Sequence, residues 1–211
     1  MRKFFTCVCL MITTTIVKAG TEVRLLGGDF SFLRDSNEQM LFEIDYSETI
    51  VDEVSIQQYL ESRGADFVRD WPQDSKTARE RFVYFFNKSK GVQICESTDD
   101  NPKYKMVMHV KTLDMGDAGS SVASVVVPYA SAKAGGVIAN VVVDVAEYPS
   151  GKAVAKFSIP KIKGIGSVSE TVRLGLCYTE IAKQIVKAGK KNRTNLPIDN
   201  SDINIDCEAS K

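Results

Sequence analysis

The chain has 211 residues, of which 44% are hydrophobic, 26% charged and 9% aromatic. This profile fits one ordinary globular domain and excludes collagen-like, coiled-coil, low-complexity and wholly disordered chains. Basic and acidic residues number 27 each, so the formal net charge is zero. No single-sign field therefore attracts a nucleic acid to the chain as a whole, and we predict no nucleic-acid partner.

The first nineteen residues have the pattern of a secretory signal peptide. Basic residues at Arg2 and Lys3 precede an apolar run over 4–17, and Val17-Lys18-Ala19 supplies a site of the A-x-A type. A helix of about 14 residues is roughly 21 Å long, too short for a hydrocarbon core of about 30 Å. We predict cleavage between Ala19 and Gly20, and export to the periplasm or the extracellular space.

Cleavage would change the charge and leave no anchor that the sequence reveals. Residues 1–19 contain three basic residues and no acidic one, so 24 basic and 27 acidic residues would remain, a net charge of −3. A lipoprotein needs an acylated cysteine at the end of the apolar run, but the next cysteine after Ala19 is Cys95. No later run reaches 18 apolar residues, so no transmembrane segment is predicted after cleavage.

Three cysteines follow the signal segment: Cys95, Cys177 and Cys207. Export permits disulfides, but an odd number leaves at least one thiol unpaired within the chain. Cys95 lies in a strand-like stretch and Cys177 in a helix-like one, where free cysteine behaves as a small buried hydrophobe. We expect these two as buried thiols and Cys207 as solvent-exposed; the alternative is a Cys95–Cys177 disulfide.

The first half of the chain predicts one strand and two helices. Ser55 and Gln58 form the S-x-x-Q pattern of a capping box, and Trp71-Pro72 indicates a break because the residue before proline avoids the helical region. The predicted elements are an irregular or edge segment over 20–39, a strand over 40–46, a helix from Ser55 to Gly64, and a helix from Asp74 or Ser75 to Asn87.

The second half predicts four strands and a long helix. Apolar and polar residues alternate over 104–112, and a turn at Pro149-Ser150-Gly151-Lys152 separates two valine- and alanine-rich stretches. Ser167 and Glu170 indicate a further capping box before an apolar stripe that includes Ile181 and Ile185. The predicted elements are strands over 92–97 and 104–112, a hairpin over 136–160, a helix from Ser167 to Lys191, and a disordered polar tail over 192–211. Residues 116–136 indicate a surface loop, an insertion or a short extra strand.

This order predicts an α+β fold in a single domain over residues 20–191. The element order is β-α-α-β-β-β-β-α, which favours an antiparallel or mixed sheet of about five strands with the helices on one face. Such a fold hosts many activities, so the function has to come from particular residues.

Motifs for catalysis, cofactors and metals are missing from the sequence. G-x-S-x-G, C-x-x-C and H-E-x-x-H do not occur, so no catalytic, cofactor-binding or metal-binding residue is predicted. His109 is the one histidine and lies mid-strand, where we expect it on the wetter face of the sheet. A His109→Gln change would then cost no more than about 1 kcal/mol. Gly164 and Gly166 precede a helix, which suggests an anion site or, more simply, a tight connection.

The stretches YKMVMHVKTLDMG and VVVDVAEYPSGKAVAKFSI, followed by the long helix, resemble exported α+β domains of bacterial envelope proteins. The resemblance covers residues 100–190. It includes the N-terminal domain of TolB, the periplasmic part of the curli-secretion channel subunit, and secreted proteins of Bacteroidetes. It implies a periplasmic α+β domain without catalytic residues, but this chain lacks the acylated cysteine of those lipoproteins, so a membrane tether does not carry over.

Three functional hypotheses follow. The first is a non-enzymatic exported binding or accessory protein with a protein or glycan partner in the cell envelope, and it requires no cofactor. The second is a hydrolase whose site the sequence conceals. The third is a structural subunit that assembles through a sheet edge.

Overall fold

The computed structural model describes residues 22–116, 135–167 and 169–207. The predicted signal peptide and most of the insertion at 116–136 lie outside these residues. The described residues form eight strands and three α-helices: β1 Arg24–Gly28, β2 Gln39–Asp45, β3 Ile50–Val51, β4 Val54–Ser55, α1 Ile56–Arg63, α2 Ala65–Asn87, β5 Gln93–Cys95, β6 Tyr104–Asp114, β7 Ile138–Glu147, β8 Ala153–Lys163 and α3 Glu170–Lys191.

The fold is α+β with a mixed sheet in the order β1-β8-β7-β6-β2-β5. The first three pairs in this order, β1–β8, β8–β7 and β7–β6, are antiparallel. β2 is parallel to both of its neighbours, β6 and β5. The count of about five strands was too low, because β3 and β4 were not predicted and β1 was expected only as part of an irregular or edge segment. β1 is an irregular edge strand with a register shift between Leu25 and Gly27, and β3 and β4 have two residues each, too few to show a period.

The apolar face of the sheet packs against α2 and α3. Met106 and Met108 of β6, Val143 of β7 and Phe157 of β8 point to this face, and all four are fully buried. The Phe82 ring of α2 stacks on Phe42 of β2 with 4.2 Å between ring centroids. The predicted stripe of α3 also faces this core, since Ile181 and Ile185 have no exposed surface.

The predicted break at Trp71-Pro72 was wrong, because α2 runs from Ala65 to Asn87 with Pro72 inside it. Proline costs a helix one hydrogen bond and a steric clash, about 3 kcal/mol in an unsupported interior. Tertiary contacts hold the turns before Pro72 in place: the Trp71 ring packs edge-on against Tyr46 at 5.3 Å, and the Arg63 guanidinium lies 4.5 Å from the Phe67 ring centre. The capping box at Ser55 and Gln58 was confirmed.

The structure also differs from the predicted tail, because residues 192–207 follow a defined course over the face of the sheet opposite α2 and α3. No α-helix of the described residues covers this face, which we call the helix-free face. Gly28 and Leu196 exchange two backbone hydrogen bonds of 2.9 Å. Farther along, the Asn204 N–H donates to Asp144 Oδ2 at 2.8 Å, and Lys105 Nζ donates to the Asp206 carbonyl at 2.6 Å. A polar composition therefore did not mean disorder here, since the sheet supplies hydrogen-bond partners to this segment.

Candidate functional site

His109 lies on the helix-free face of the sheet, between two aspartates. The parallel register of β2 and β6 places Asp45 beside it, with 2.8 Å between His109 Nδ1 and Asp45 Oδ2. On the other side, Nε2 lies 3.4 Å from Oδ2 of Asp144 on β7. His109 was expected on a wet face, but it is only 6% exposed because the segment 203–207 covers this part of the sheet.

The charges around His109 stabilise one another. The Asp144 carboxylate, together with Asp45, raises the pKa of His109 above its usual range despite burial. Burial works against ionisation of Asp45, but hydrogen bonds from Ser47 and the proximity of His109 bring its pKa down to about 2. His109, the Asn204 N–H and Lys156 likewise hold the pKa of Asp144 below its usual range, although burial opposes this.

This arrangement is poorly suited to acid–base catalysis. The two carboxylates favour the protonated form of the imidazole, and in that form it has no free lone pair with which to act as a general base. The contacts of His109 within the described residues are to these carboxylates, not to a serine or cysteine. The network of Asp45, His109 and Asp144 links three neighbouring strands, β2, β6 and β7.

The three described cysteines are free and buried. This agrees with the buried thiols expected at Cys95 and Cys177 rather than the alternative disulfide between them. The expected exposure of Cys207 was wrong, because the segment that carries it packs on the sheet near Gly151. Burial raises the pKa of all three thiols, that of Cys177 to about 12, which suppresses the nucleophilic thiolate.

Gly164 serves a tight connection between β8 and α3. A Cβ built on it would lie 2.7 Å from the backbone nitrogen of Cys177, so a larger residue would push the helix away. The side-chain cap of α3 is Ser169, which accepts a hydrogen bond from the Val172 N–H at 3.4 Å, rather than the predicted Ser167.

A more promising site lies where the C-terminal ends of α2 and α3 meet. Two adjoining cavities of about 190 Å³ and 320 Å³ are found there, and Ser89, Val186 and Lys190 line both of them. We call this depression and its rim the lysine groove. Its cationic side chains are Lys88 and Lys90 after α2, and Lys183, Lys187, Lys190 and Lys191 on α3.

The floor of the lysine groove is apolar and partly aromatic. Leu33 and Phe86 line the smaller cavity, and Phe85 lines the larger one. The ammonium groups of Lys88 and Lys183 lie 4.9 Å and 5.3 Å from the centre of the Phe85 ring. Cation–π attraction therefore orients two of the lysines around an aromatic surface.

Most of this positive charge has no carboxylate partner within the described residues. Lys183 pairs with Glu180 at 2.6 Å, whereas no ion pair is found there for the other five lysines of the groove. The two helix C-termini contribute roughly half a negative charge each. Arg34 already occupies carbonyls at the end of α3, donating to Gly189 O at 2.9 Å. A clear excess of positive charge remains.

No protein family model matches this chain, and no curated protein does. Among solved structures, the PelC dodecamer from Paraburkholderia phytofirmans is similar at 11% identity and a TM-score of 0.41, covering 78% of this chain and 96% of the PelC chain. A single-residue variant of that PelC shows 9% identity and a TM-score of 0.41 over 79% and 98% of the two chains. These likenesses are too slight to support any argument about function.

The sequence did not reveal the lysine groove. The helix dipole alone is enough to favour Lys187, Lys190 and Lys191 near the end of the predicted helix. Lys88 and Lys90 are about a hundred positions away in the chain. Only the packing of α2 on α3 brings the two sets together. Chemically, the groove offers point charges around an apolar floor, which suits reversible binding of an anion. Within the described ranges, no helix is long and apolar enough to span a bilayer.

Proposed function

We propose that this chain is an exported, non-enzymatic binding protein whose lysine groove binds an anionic partner in the cell envelope. The observation that carries the proposal is the convergence of six lysines, four on α3 and two just after α2, on one depression with an apolar floor. This concentration occurs in a chain with no net positive charge. It is therefore a local feature rather than a consequence of overall composition.

The electrostatic cost of the lysine groove supports a binding role. Unpaired cations within about a Debye length, roughly 8–10 Å, repel one another even in physiological salt. Two half-charges at the helix ends offset one lysine in total, not five. An anionic ligand would relieve this repulsion, and the concave shape would hold it against Phe85 and Val186.

The buried chemistry elsewhere favours a binding protein over the alternative of a hydrolase. His109 is held between two carboxylates under the C-terminal segment, and Cys177 is a buried thiol with a raised pKa. The proposed export rests on residues 1–19, whose pattern is that of a cleaved signal peptide. The partner would then be an envelope or extracellular polyanion.

Retention on a carboxylated matrix tests the proposal. The protein beginning at Gly20 has a net charge of −3 and should nevertheless be retained near neutral pH at low salt, through the groove. A variant with Lys88, Lys187 and Lys191 changed to glutamine should flow through. The matched control changes the exposed Lys76, Lys152 and Lys163 to glutamine, which removes the same charge elsewhere and should leave retention intact. Equal loss in both variants would mean that net charge, not the groove, governs binding.

One observation favours assembly through a sheet edge as a second candidate. β5 pairs with Gln39–Leu41, and among the described residues no strand lies beside the outer edge of β2 from Phe42 onward. The Phe42 carbonyl points to that edge, where it accepts a hydrogen bond from Arg79 Nη2 at 3.3 Å. Because backbone groups two residues apart on a strand point to the same side, the Ile44 N–H also points to this edge. Ile44→Pro would remove this donor. Concentration-dependent sedimentation that the variant abolishes would support assembly, and a wild-type monomer at all concentrations would contradict it.

A further inference from the structure

The lysines of α3 form a line rather than a point. Lys183, Lys187 and Lys191 are spaced four residues apart, with Lys190 beside the last, so they follow one face of the helix. At 1.5 Å per residue the line is about 12 Å long, with roughly 6 Å between successive lysines. A single carboxylate or phosphate would neutralise one part of this line. Several anionic groups along a chain would neutralise all of it.

Lys88 and Lys90 form the opposite side of the same track. They follow the last turn of α2, and the two cavities that they line with α3 share Lys190. A ligand lying in the groove would therefore have ammonium groups on both sides. This arrangement fits a narrow linear polymer better than a flat surface.

The apolar floor restricts the chemistry of such a polymer. Phe85 and Val186 line the groove, and the exposed Tyr84 ring lies beside Phe85 at 5.2 Å. Tyr84 is 59% exposed, with Lys88 Nζ 4.2 Å from its ring centre. Sugar rings present apolar C–H faces to aromatic side chains while their carboxylates reach the lysines. A polyanion without apolar surface would leave this floor unused.

A membrane surface and a nucleic acid fit less well. The groove is concave, and Tyr84 is the one strongly exposed large apolar side chain at this end of the described residues, so an inserting apolar anchor is lacking. The nearby Arg34, which could make bidentate phosphate contacts, instead donates to helix carbonyls. Lysine point charges bind carboxylates and phosphates alike, so the apolar floor is what favours a polymer with apolar ring faces.

We infer that the ligand of the lysine groove is a linear polysaccharide of acidic sugars, a uronic-acid chain, with its carboxylates on the lysines and its rings against Phe85 and Tyr84. This inference rests on the proposed function and specifies its ligand. It requires binding that depends on the carboxylate charge, on salt and on the aromatic rim.

Titration calorimetry with defined polymers tests the inference on the protein beginning at Gly20. Polygalacturonate should bind, and its methyl ester, which has the same backbone without the charge, should bind at least about 10-fold more weakly. Affinity should fall at least about 10-fold between about 50 mM and 200 mM salt, as expected when bound counterions are released. Tyr84→Ala should weaken polygalacturonate binding several-fold without affecting the fold, because the ring is exposed.

The variant with Lys88, Lys187 and Lys191 changed to glutamine separates failure of the inference from failure of the proposed function. Phosphatidylglycerol vesicles and single-stranded DNA are the competing probes. If either binds at least 10-fold more tightly than polygalacturonate, the polysaccharide is ruled out as the ligand. If the lysine variant also loses that tighter binding, the proposal of an anionic partner still stands. Equal binding of polygalacturonate and its ester also overturns the inference. If no anionic probe distinguishes wild type from the lysine variant, both proposals fail.

Discussion

Replacing His109 with glutamine tests the interpretation of the buried charge network. Glutamine is of similar size and can hydrogen bond, but it carries no charge in any accessible pH range. In the wild type the imidazole lies 2.8 Å from Asp45 and 3.4 Å from Asp144, and both carboxylates favour its protonated form. The variant would leave Asp144, which is 1% exposed, without one of its two cationic neighbours.

The expected loss of stability is about 2–3 kcal/mol in the acidic part of the native range. Removing one partner of a fully buried ion pair costs about 3–5 kcal/mol. The value is smaller here because Lys156 remains 3.5 Å from Asp144 and the Asn204 N–H still donates to it at 2.8 Å. Asp45 is about one-third exposed, so water screens its share. The expected cost of His109→Gln is therefore higher than the limit of about 1 kcal/mol for a solvent-facing histidine, because the structure buries His109.

The loss should depend on pH in a defined direction. Because the folded-state pKa of His109 is raised, its charge stabilises the protein fully below its unfolded pKa of about 6.5, and this contribution disappears as pH rises through the folded pKa. The depressed pKa values of Asp45 and Asp144 act oppositely: their stabilisation is present above about pH 4 and is lost as pH falls through their folded pKa values.

Urea unfolding of wild type and His109→Gln at about pH 5.5 and about pH 9 measures this dependence. The difference in unfolding free energy should be larger at the lower pH. Lys111→Gln is the control, because this residue lies two positions away on the same strand and pairs with the exposed Glu48. A difference that is below about 0.5 kcal/mol, or the same at both pH values, would refute a charged His109 in the network.

Three further predictions concern the core, the backbone and the thiols. Ile181→Ala should cost about 2–4 kcal/mol by leaving a cavity, whereas Lys183→Ala should change stability by no more than about 0.5 kcal/mol. Denaturation midpoints in the reverse order would contradict the packing of α3. Gly28→Ala should lower stability by about 1–3 kcal/mol, because φ is +70° and the new Cβ would clash with the Val154 carbonyl; an unchanged midpoint would contradict this. The described cysteines should react with a thiol reagent only after unfolding in urea, and rapid labelling of native Cys207 would contradict its burial.

The parts of the fold that the sequence predicted are those with a long, regular pattern. The alternation around Met106 and Met108 extends over residues 104–112, which is long enough to define a strand. The 136–160 hairpin and the stripe through Ile181 and Ile185 are equally regular, and the structure confirms them as β7, β8 and α3. Local periodicity was sufficient because one face of each element meets a common core.

The features that were missed depend on contacts between distant parts of the chain. The chemistry of Pro72 alone predicts that a helix is interrupted there. The packing of Trp71 against Tyr46, which the sequence does not show, helps to explain why α2 continues. The parallel pairing of β2 with β6 joins segments about 60 residues apart, with no turn to indicate it. The lysine groove likewise exists only once α2 and α3 are packed together.

The charged residues of the helix-free face have partners within the fold, whereas most of those in the lysine groove have no carboxylate partner among the described residues, and this difference supports a binding role for the groove. On the helix-free face, Asp144 accepts the Asn204 N–H, while Lys105 and Lys156 donate to the Asp206 and Asp202 carbonyls. These charges satisfy the backbone of an irregular segment, which needs side-chain partners when it lies on a sheet. Folding alone therefore accounts for them. The groove lysines other than Lys183 meet no carboxylate in the described part of the chain, and Lys88 contacts only aromatic rings there. Folding therefore does not neutralise these charges, whereas an anionic ligand would.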